Sequence, residues 1–219
     1  SASRATQLSG LYPQNNGLLD LVGFGWRLND DVRHASEIFK AAGYRTMLFG
    51  VQHEVPRDNI DRLAFDVAEP GRMSASEVAA KFVEFLRSEK QDRTPFYAQI
   101  GFVETHTPFD FGGAEPDTEN GIEVPPYVAD TDSSREAMAG YQGAVRNVDA
   151  AVGTILEALS DAGLEDETIV VFTTDHGIEM PRSKWYLYDP GIAVALIMRG
   201  PVPGLSGGRN CDLLMSNVD

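Results

Sequence analysis

Apolar positions along this chain switch repeatedly between helical and strand-like spacing. Residues 31–43 carry five apolar side chains at helical spacing: Val32, Ala35, Ile38, Phe39 and Ala42. This pattern predicts an amphipathic helix that ends at Gly43. Residues 44–50 (YRTMLFG) follow at once and are typical of a buried strand.

The alternation continues through the middle of the chain. Ser74 and Glu77 form a capping-box pattern that predicts a helix reaching about Lys90. Residues 95–103 (PFYAQIGFV) predict the next strand, and residues 107–132, rich in Pro, Gly, Asp and Glu, predict a long surface loop. Loops of this length in compact domains are often functional.

The last third repeats the pattern on a larger scale. A long helix is predicted from about Ser134 to Gly163, with one apolar face: Val145, Val148, Val152, Ile155, Leu156 and Leu159. Strands follow at residues 169–172 and 193–198. Helices that alternate with apolar strands predict an α/β fold with a mostly parallel sheet and helices on both faces. No repeat, low-complexity tract or linker divides the 219 residues.

The charge balance narrows the range of partners. The chain has 33 acidic and 18 basic residues, a formal net charge of −15. Because such a surface repels phosphate backbones, we expect no nucleic-acid partner. No apolar run approaches the roughly 20 residues of a membrane span, so we expect none. Any site for an anion must be made positive locally.

Candidate chemistry is concentrated after the strand at residues 169–172, where Asp175 and His176 precede Gly177. Ligands of open α/β sheets bind beyond the carboxyl ends of strands, where a carboxylate and an imidazole can share a cation. Lys184 follows in the same loop. The alternative interpretation is an ordinary turn, since Asp and Gly both favour turns.

Three of the four histidines follow predicted strands. These are His53, His106 and His176, and we expect them at the carboxyl edge of one sheet. His34 lies within the first predicted helix, where a surface or capping role is expected. At the start of the chain, Ser3 and Arg4 precede an apolar segment, an arrangement that favours an anion at a helix N-terminus but is also common without one.

Together these motifs resemble the sulfatases of the alkaline phosphatase superfamily across essentially the whole chain. The family signature, Cys (or Ser)-x-Pro-Ser-Arg followed by a Gly-x-Tyr/Leu-Pro turn, is similar to SASRATQLSGLYP at residues 1–13. Ser3 and Arg4 are then its closing pair, with Ala2 in place of the proline. The family nucleophile, a cysteine oxidised to formylglycine, would lie one residue before Ser1.

The other family motifs follow in order. Gly-Lys-x-His resembles residues 50–53, with His53 matched and Val51 in place of the lysine. His-x-Pro-Phe matches residues 106–109, and the metal-binding Asp-Asn/His-Gly matches residues 175–177. Lys184 matches the sulfate-binding lysine. The turn PQNNG and the segment YDPG are most similar to the sulfamidase (heparan N-sulfatase) branch.

The resemblance implies a sulfuric ester or sulfamate hydrolase that works, at full length, through a covalent sulfated formylglycine. It implies that Arg4 holds the formylglycine hydroxyl or nearby charge and that His53 is the base that regenerates the aldehyde. His106 and Lys184 would bind the sulfuryl group and protonate the leaving oxygen. The substrate would be a small-molecule or glycan sulfate ester.

Asp175 and His176 would hold a divalent metal, with Ca²⁺ ranked first and Mg²⁺, Mn²⁺ or Zn²⁺ left open. Residues 1–219 would form a partial catalytic domain, lacking the first strand with its Asp pair, the nucleophile and the C-terminal subdomain, and inactive by itself. Members of the family are often exported or periplasmic, but no targeting signal is visible in this sequence, so localisation is left open. Two alternatives stay open: a phosphodiesterase or phosphonate monoester hydrolase of the same superfamily, and a non-catalytic truncated member.

Overall fold

A computed structural model describes residues 1–88, 94–205 and 207–219. The chain divides into two compact units. The first holds the described residues within 1–71, 91–101 and 209–219, and the second holds those within 72–90 and 102–208. No helix among the described residues is both long and apolar enough to cross a bilayer.

The first unit is built on a three-stranded parallel sheet. Its α-helices are α1 (Ala2–Ser9), α2 (Pro13–Asn16) and α3 (Ala35–Ala41), and its strands are β1 (Arg45–Gly50), β2 (Val67–Pro70) and β3 (Phe96–Gly101). β1 is central, paired with β2 from Met47↔Val67 and with β3 from Arg45↔Phe96. Short 3₁₀ segments cover Val22–Phe24 and Arg57–Leu63.

The first unit contains a buried apolar cluster built from residues outside its strands. Its buried members are Ala5, Leu18, Leu28, Val32, Val55 and Leu63. Strand β1 itself is buried from Thr46 to Gly50, as expected for a central strand of a parallel sheet. The predicted strand at residues 44–50 is confirmed.

The second unit packs two long helices together. They are α4 (Ala75–Ser88) and α5 (Asp132–Asp161), followed by β4 (Val170–Thr173), α6 (Asp189–Ile192) and β5 (Leu196–Arg199). Further 3₁₀ segments cover Phe111–Gly113 and Glu165–Glu167. The predicted capping box is present: the Ser74 backbone N–H donates to Glu77 at 2.8 Å. The predicted helix end near Lys90 lies outside the described residues.

The α/β class with a parallel sheet is confirmed, but one expectation about β4 is wrong. β4 pairs antiparallel with β5 in a separate two-stranded sheet, with the register Val170↔Arg199. Two hydrogen bonds extend this pairing to the base of the intervening loop, from Thr174 N–H to the Ala195 carbonyl (3.3 Å) and from Ala195 N–H to the Thr174 hydroxyl (3.1 Å). His176 therefore follows a strand of this pair, not a strand of the parallel sheet.

The first predicted helix is shorter than expected and buries a different face. It begins at Ala35, and His34 is its N-cap, with the ring accepting from the Ser36 backbone N–H. The capping role of His34 is confirmed, but a surface position is wrong because the side chain is fully buried. Ile38 and Phe39, expected in the core, are 48% and 37% exposed. Phe39 instead stacks one ring face on Tyr97.

The long loop and the long helix agree in outline with the sequence. Residues 107–131 contain only the short 3₁₀ segment, and α5 starts with Thr131 as N-cap. Gly143 is required because a Cβ there would lie 1.9 Å from the Glu115 carbonyl oxygen of the loop. Of the predicted apolar face, Val148, Ile155 and Leu159 are buried, whereas Val145 is exposed.

Candidate functional site

Arg4, the first predicted site residue, is held rigidly inside the first unit. It lies in the first turn of α1, and its Nε donates to Glu54 Oε1 at 2.9 Å. Its Nη2 donates to the Val51 carbonyl oxygen, also at 2.9 Å. Val51 stands where the family pattern has a lysine, so its side chain brings no charge to this position. Two contacts from one guanidinium fix its plane.

Glu54 connects Arg4 to the second predicted residue of this unit, His53. The Glu54 side chain is completely buried, and its Oε2 accepts from the His53 backbone N–H at 2.9 Å. Gln99 on β3 adds a longer contact to Oε1, 3.4 Å from its Nε2. The His53 residue itself is exposed. One carboxylate thus orients the arginine and the backbone of the histidine.

The turn that places Glu54 is built from its neighbours. The Gln52 side-chain oxygen accepts from the backbone N–H groups of Glu54 (2.9 Å) and Val55 (3.2 Å). Gly101 lets β3 approach this turn, because a Cβ there would lie 2.0 Å from the Val51 oxygen. Sequence reasoning missed Glu54. The sequence signal for Glu54 was a carboxylate directly after the motif histidine, soon after a buried strand in the chain.

In the second unit, His106 and Lys184 come into direct contact although 78 residues separate them. Lys184 Nζ lies 3.2 Å from His106 Nε2. His106 Nδ1 lies 2.6 Å from the Thr107 carbonyl oxygen, which requires a proton on Nδ1. Nε2 then carries the lone pair and accepts from the lysine ammonium. The structure therefore brings these two candidate residues together, and their roles stay a prediction.

Glu179 completes this cluster and was also missed by sequence reasoning. Its Oε2 accepts from the Thr107 hydroxyl at 2.7 Å and from Lys184 Nζ at 3.1 Å. The Thr107 hydrogen bond, followed by the Lys184 ammonium, holds the pKa of Glu179 below its ordinary value. The Lys184 side chain is 11% exposed and that of Glu179 36%, so solvent reaches the carboxylate. The sequence offered no signal for it beyond its place in the Asp175–Lys184 loop.

Asp175 and His176 lie side by side in the same unit, half-buried. His176 Nδ1 lies 2.8 Å from the Gly177 carbonyl oxygen, so Nδ1 carries the proton and Nε2 is left with its lone pair. Nε2 is 3.7 Å from Asp175 Oδ1. Gly177 is required next, because a Cβ there would lie 1.7 Å from the Pro190 carbonyl oxygen.

These two donors fit part of a metal site. Ligand atoms that each lie about 2.0–2.6 Å from one cation are separated by distances of this order. A histidine whose Nδ1–H is bound to a carbonyl presents Nε2 to metal in the usual way. Within the ranges that the structure describes, no three His, Cys, Asp or Glu side chains come together as a metal-binding group. Asp175 and His176 would therefore supply two ligands of a larger set.

Comparison with known proteins identifies the family. The family model "Sulfatase" matches residues 1–202. The chain belongs to the sulfatase family. It is 28% identical over 254 residues to the N-sulphoglucosamine sulphohydrolase of Homo sapiens, covering 100% of this chain and 49% of that protein. It is 27% identical over 243 residues to an ulvan-active sulfatase of Formosa agariphila, covering 90% and 46%.

Comparison with solved structures supports the same fold. A solved structure from work on glycosaminoglycan metabolism by Bacteroides thetaiotaomicron superposes with a TM-score of 0.82 at 22% identity, covering 100% of this chain and 58% of that chain. The chain spans about half the length of the curated relatives it matches. The sulfatase resemblance stated from the motifs is confirmed.

Proposed function

We propose that the full-length protein hydrolyses a sulfuric ester or sulfamate of a small sugar or glycan. The observation that carries this proposal is the contact between Lys184 Nζ and His106 Nε2, 3.2 Å apart, in a chain of the sulfatase family. Sulfate transfer places negative charge on the sulfuryl oxygens and on the leaving oxygen. Preorganised donors aimed at that charge supply the main catalytic effect.

Lys184 and His106 have complementary roles in this proposal. The ammonium of Lys184 would donate to a sulfuryl oxygen. His106 Nε2, once protonated, would donate to the leaving oxygen. The Thr107 carbonyl at 2.6 Å and the Glu179 carboxylate at 3.8 Å from Nδ1 both stabilise a proton on that nitrogen. The reactive nitrogen therefore stays Nε2, on the side of Lys184.

Arg4 and His53 would act from the first unit. Arg4 would present a planar guanidinium, and Glu54 fixes its orientation. The exposed His53 would accept the proton of the second formylglycine hydroxyl as the aldehyde is regenerated and sulfate leaves. That the residues of the two units share one substrate stays a prediction.

The metal and the nucleophile are also part of the proposal. A divalent cation held by Asp175 and His176, with Ca²⁺ ranked first, would neutralise charge on the sulfuryl group and lower the pKa of the nucleophile. Ca²⁺ takes six to eight oxygen ligands, so further ligands are expected from the Asp pair that the family resemblance places ahead of Ser1. A formylglycine directly before Ser1 would supply the nucleophile.

The names of the relatives favour a sulfated sugar as substrate. One relative acts on N-sulphoglucosamine and another on ulvan, according to their names. The experiment is therefore to assay the full-length protein for sulfate release from an aryl sulfate and from N-sulfoglucosamine, with an aryl phosphonate as the competing substrate. Phosphonate cleavage without sulfate release would contradict the proposal and favour the phosphonate hydrolase alternative.

Variants test the assigned residues. K184A and H106A should each lower kcat/KM for the sulfated substrate about 100-fold, the typical effect of removing one transition-state donor or acid. R135A removes an exposed cation of the same unit that is paired with Asp130 and should leave kcat/KM unchanged. Equal losses in all three variants would contradict these roles, because R135A leaves the His106–Lys184 contact in place.

A further inference from the structure

Glu179 introduces a negative charge among groups assigned to sulfuryl binding. Its Oε2 lies 3.1 Å from Lys184 Nζ, which itself lies 3.2 Å from His106 Nε2. The Thr107 hydroxyl donates to the same oxygen at 2.7 Å. The carboxylate is thus held in the cluster by two donors, one of which is the sulfuryl-binding lysine itself.

The position of a substrate oxygen relative to Glu179 is bounded by these contacts. An oxygen that accepts from Lys184 Nζ lies about 2.9 Å from it. Since Glu179 Oε2 is 3.1 Å from the same nitrogen, that oxygen lies at most about 6 Å from the carboxylate. At this separation, each charge on the substrate interacts directly with the charge of Glu179.

The carboxylate is ionised at neutral pH. The Thr107 hydrogen bond and the Lys184 ammonium both lower its pKa, so the charges of Lys184 and Glu179 cancel. The cluster then offers directed donors but no net positive charge. A substrate with one negative charge meets this repulsion once, and a substrate with two negative charges meets it twice.

Sulfuric esters and sulfamates carry a single negative charge, whereas phosphate monoesters carry two above a second pKa of about 6. We propose that Glu179 is a specificity residue that selects monoanionic sulfuryl groups by repelling dianionic phosphate monoesters from Lys184. This proposal rests on the proposed function, because it assumes that Lys184 binds the sulfuryl group.

The test compares two phosphorus compounds of matched shape as competitive inhibitors of sulfate hydrolysis by the full-length enzyme at pH 8. An aryl phosphate carries two charges there, and the corresponding aryl methylphosphonate carries one. The variant E179Q keeps the shape of the side chain and removes its charge. We expect the ratio of the two inhibition constants to shift about tenfold in favour of the dianion.

Two control variants separate charge from structure. E179D retains the charge and should keep the ratio within about threefold of the wild type, because the repulsion remains. E165Q removes a carboxylate that pairs with Arg199 and should leave the ratio unchanged.

A denaturation midpoint for each variant shows whether it is folded. Equal tightening of both inhibitors in E179Q would mean that the carboxylate merely competes with any anion, and equal weakening that it only positions Lys184; either result overturns the proposal.

The same experiment separates failure of the role proposed for Glu179 from failure of the proposed function. A wild-type enzyme that releases no sulfate would overturn the proposed function, and this proposal with it. An unchanged ratio in an enzyme that does release sulfate would overturn the role of Glu179 alone.

Discussion

Each unit holds a basic side chain of the candidate site in an ion pair, and the two pairs differ mainly in how buried the carboxylate is. In the Arg4–Glu54 pair the carboxylate is completely buried and the arginine 19% exposed. In the Lys184–Glu179 pair the carboxylate is 36% exposed and the lysine 11%. The first carboxylate also binds the His53 backbone, and the second binds the Thr107 hydroxyl.

This difference separates what each carboxylate can do. A buried charge that loses its partner is costly, so Glu54 is part of the architecture of its unit as well as of the candidate site. Water reaches the Glu179 carboxylate, although little of Lys184, so we expect this pair to contribute less to stability than one with a buried carboxylate. We therefore expect that the charge of Glu179 can be removed without unfolding the protein, whereas removing the charge of Glu54 would destabilise its unit.

The largest expected effect is on stability at Glu54. In the full-length protein, E54Q should lower the free energy of unfolding by about 3 kcal/mol, because it removes one partner of a buried pair. E179Q should lower it by less than about 1 kcal/mol. Chemical denaturation midpoints of the two variants measure the difference. If both variants lost a similar free energy of unfolding, burial of the carboxylate would not explain the difference between the two ion pairs.

The next effect is on the pH dependence of the first unit. Burial lowers the pKa of His34 to about 4, and the nearby charges of Glu54 and Glu37 only partly oppose it. The unfolded chain takes up the proton near pH 6.5. The stability that neutral His34 contributes is therefore complete above pH 6.5 and is lost as the pH falls towards 4, by up to about 3 kcal/mol.

The variant H34N tests this effect. Asparagine is a good N-cap that does not titrate, so the slope of stability between pH 6.5 and 4 should flatten even if the variant is less stable overall. Glu179 acts in the same direction at lower pH: its lowered pKa contributes stability above the ordinary value of 4.5 that is lost only below it. A slope unchanged in H34N would show that another group titrates.

The smallest effect is expected at Thr107. T107V removes the hydroxyl that donates to Glu179 at 2.7 Å, the main cause of the lowered pKa of that carboxyl. The pKa of Glu179 should rise, as followed by NMR titration of its side chain. Stability should change by no more than about 0.5 kcal/mol. A loss of several kcal/mol would mean that this cluster is as structural as the buried one.

Local patterns in the sequence predicted most elements of secondary structure. The strand at residues 44–50 and the capping box at Ser74 are both present, because a buried strand and a helix start have short-range signals. The predicted start of α3 was wrong, because His34 caps the helix with its ring, and its buried position, edge-on to Phe65, depends on tertiary packing. The pairing of β4 was wrong because strand partners are set by contacts distant in sequence.

The candidate residues were predicted by resemblance, but their partners were not. His106 and Lys184 stand in family motifs, and the structure brings them together. Glu54 and Glu179 stand in no motif used here. Their roles depend on which cation each one meets, across 50 residues for Arg4 and five for Lys184. The joint action of both units on one metal-bound substrate stays a prediction.

The sequence by itself determined the α/β class, the sulfatase family and the residue types available for chemistry, because periodicity and motifs are local properties of a chain. Only the tertiary structure decided that one carboxylate is buried against Arg4 and the other partly exposed beside Lys184. Burial and ion pairing depend on which distant segments pack together, and the charge of a carboxylate acts on whatever the fold places within a few ångströms of it.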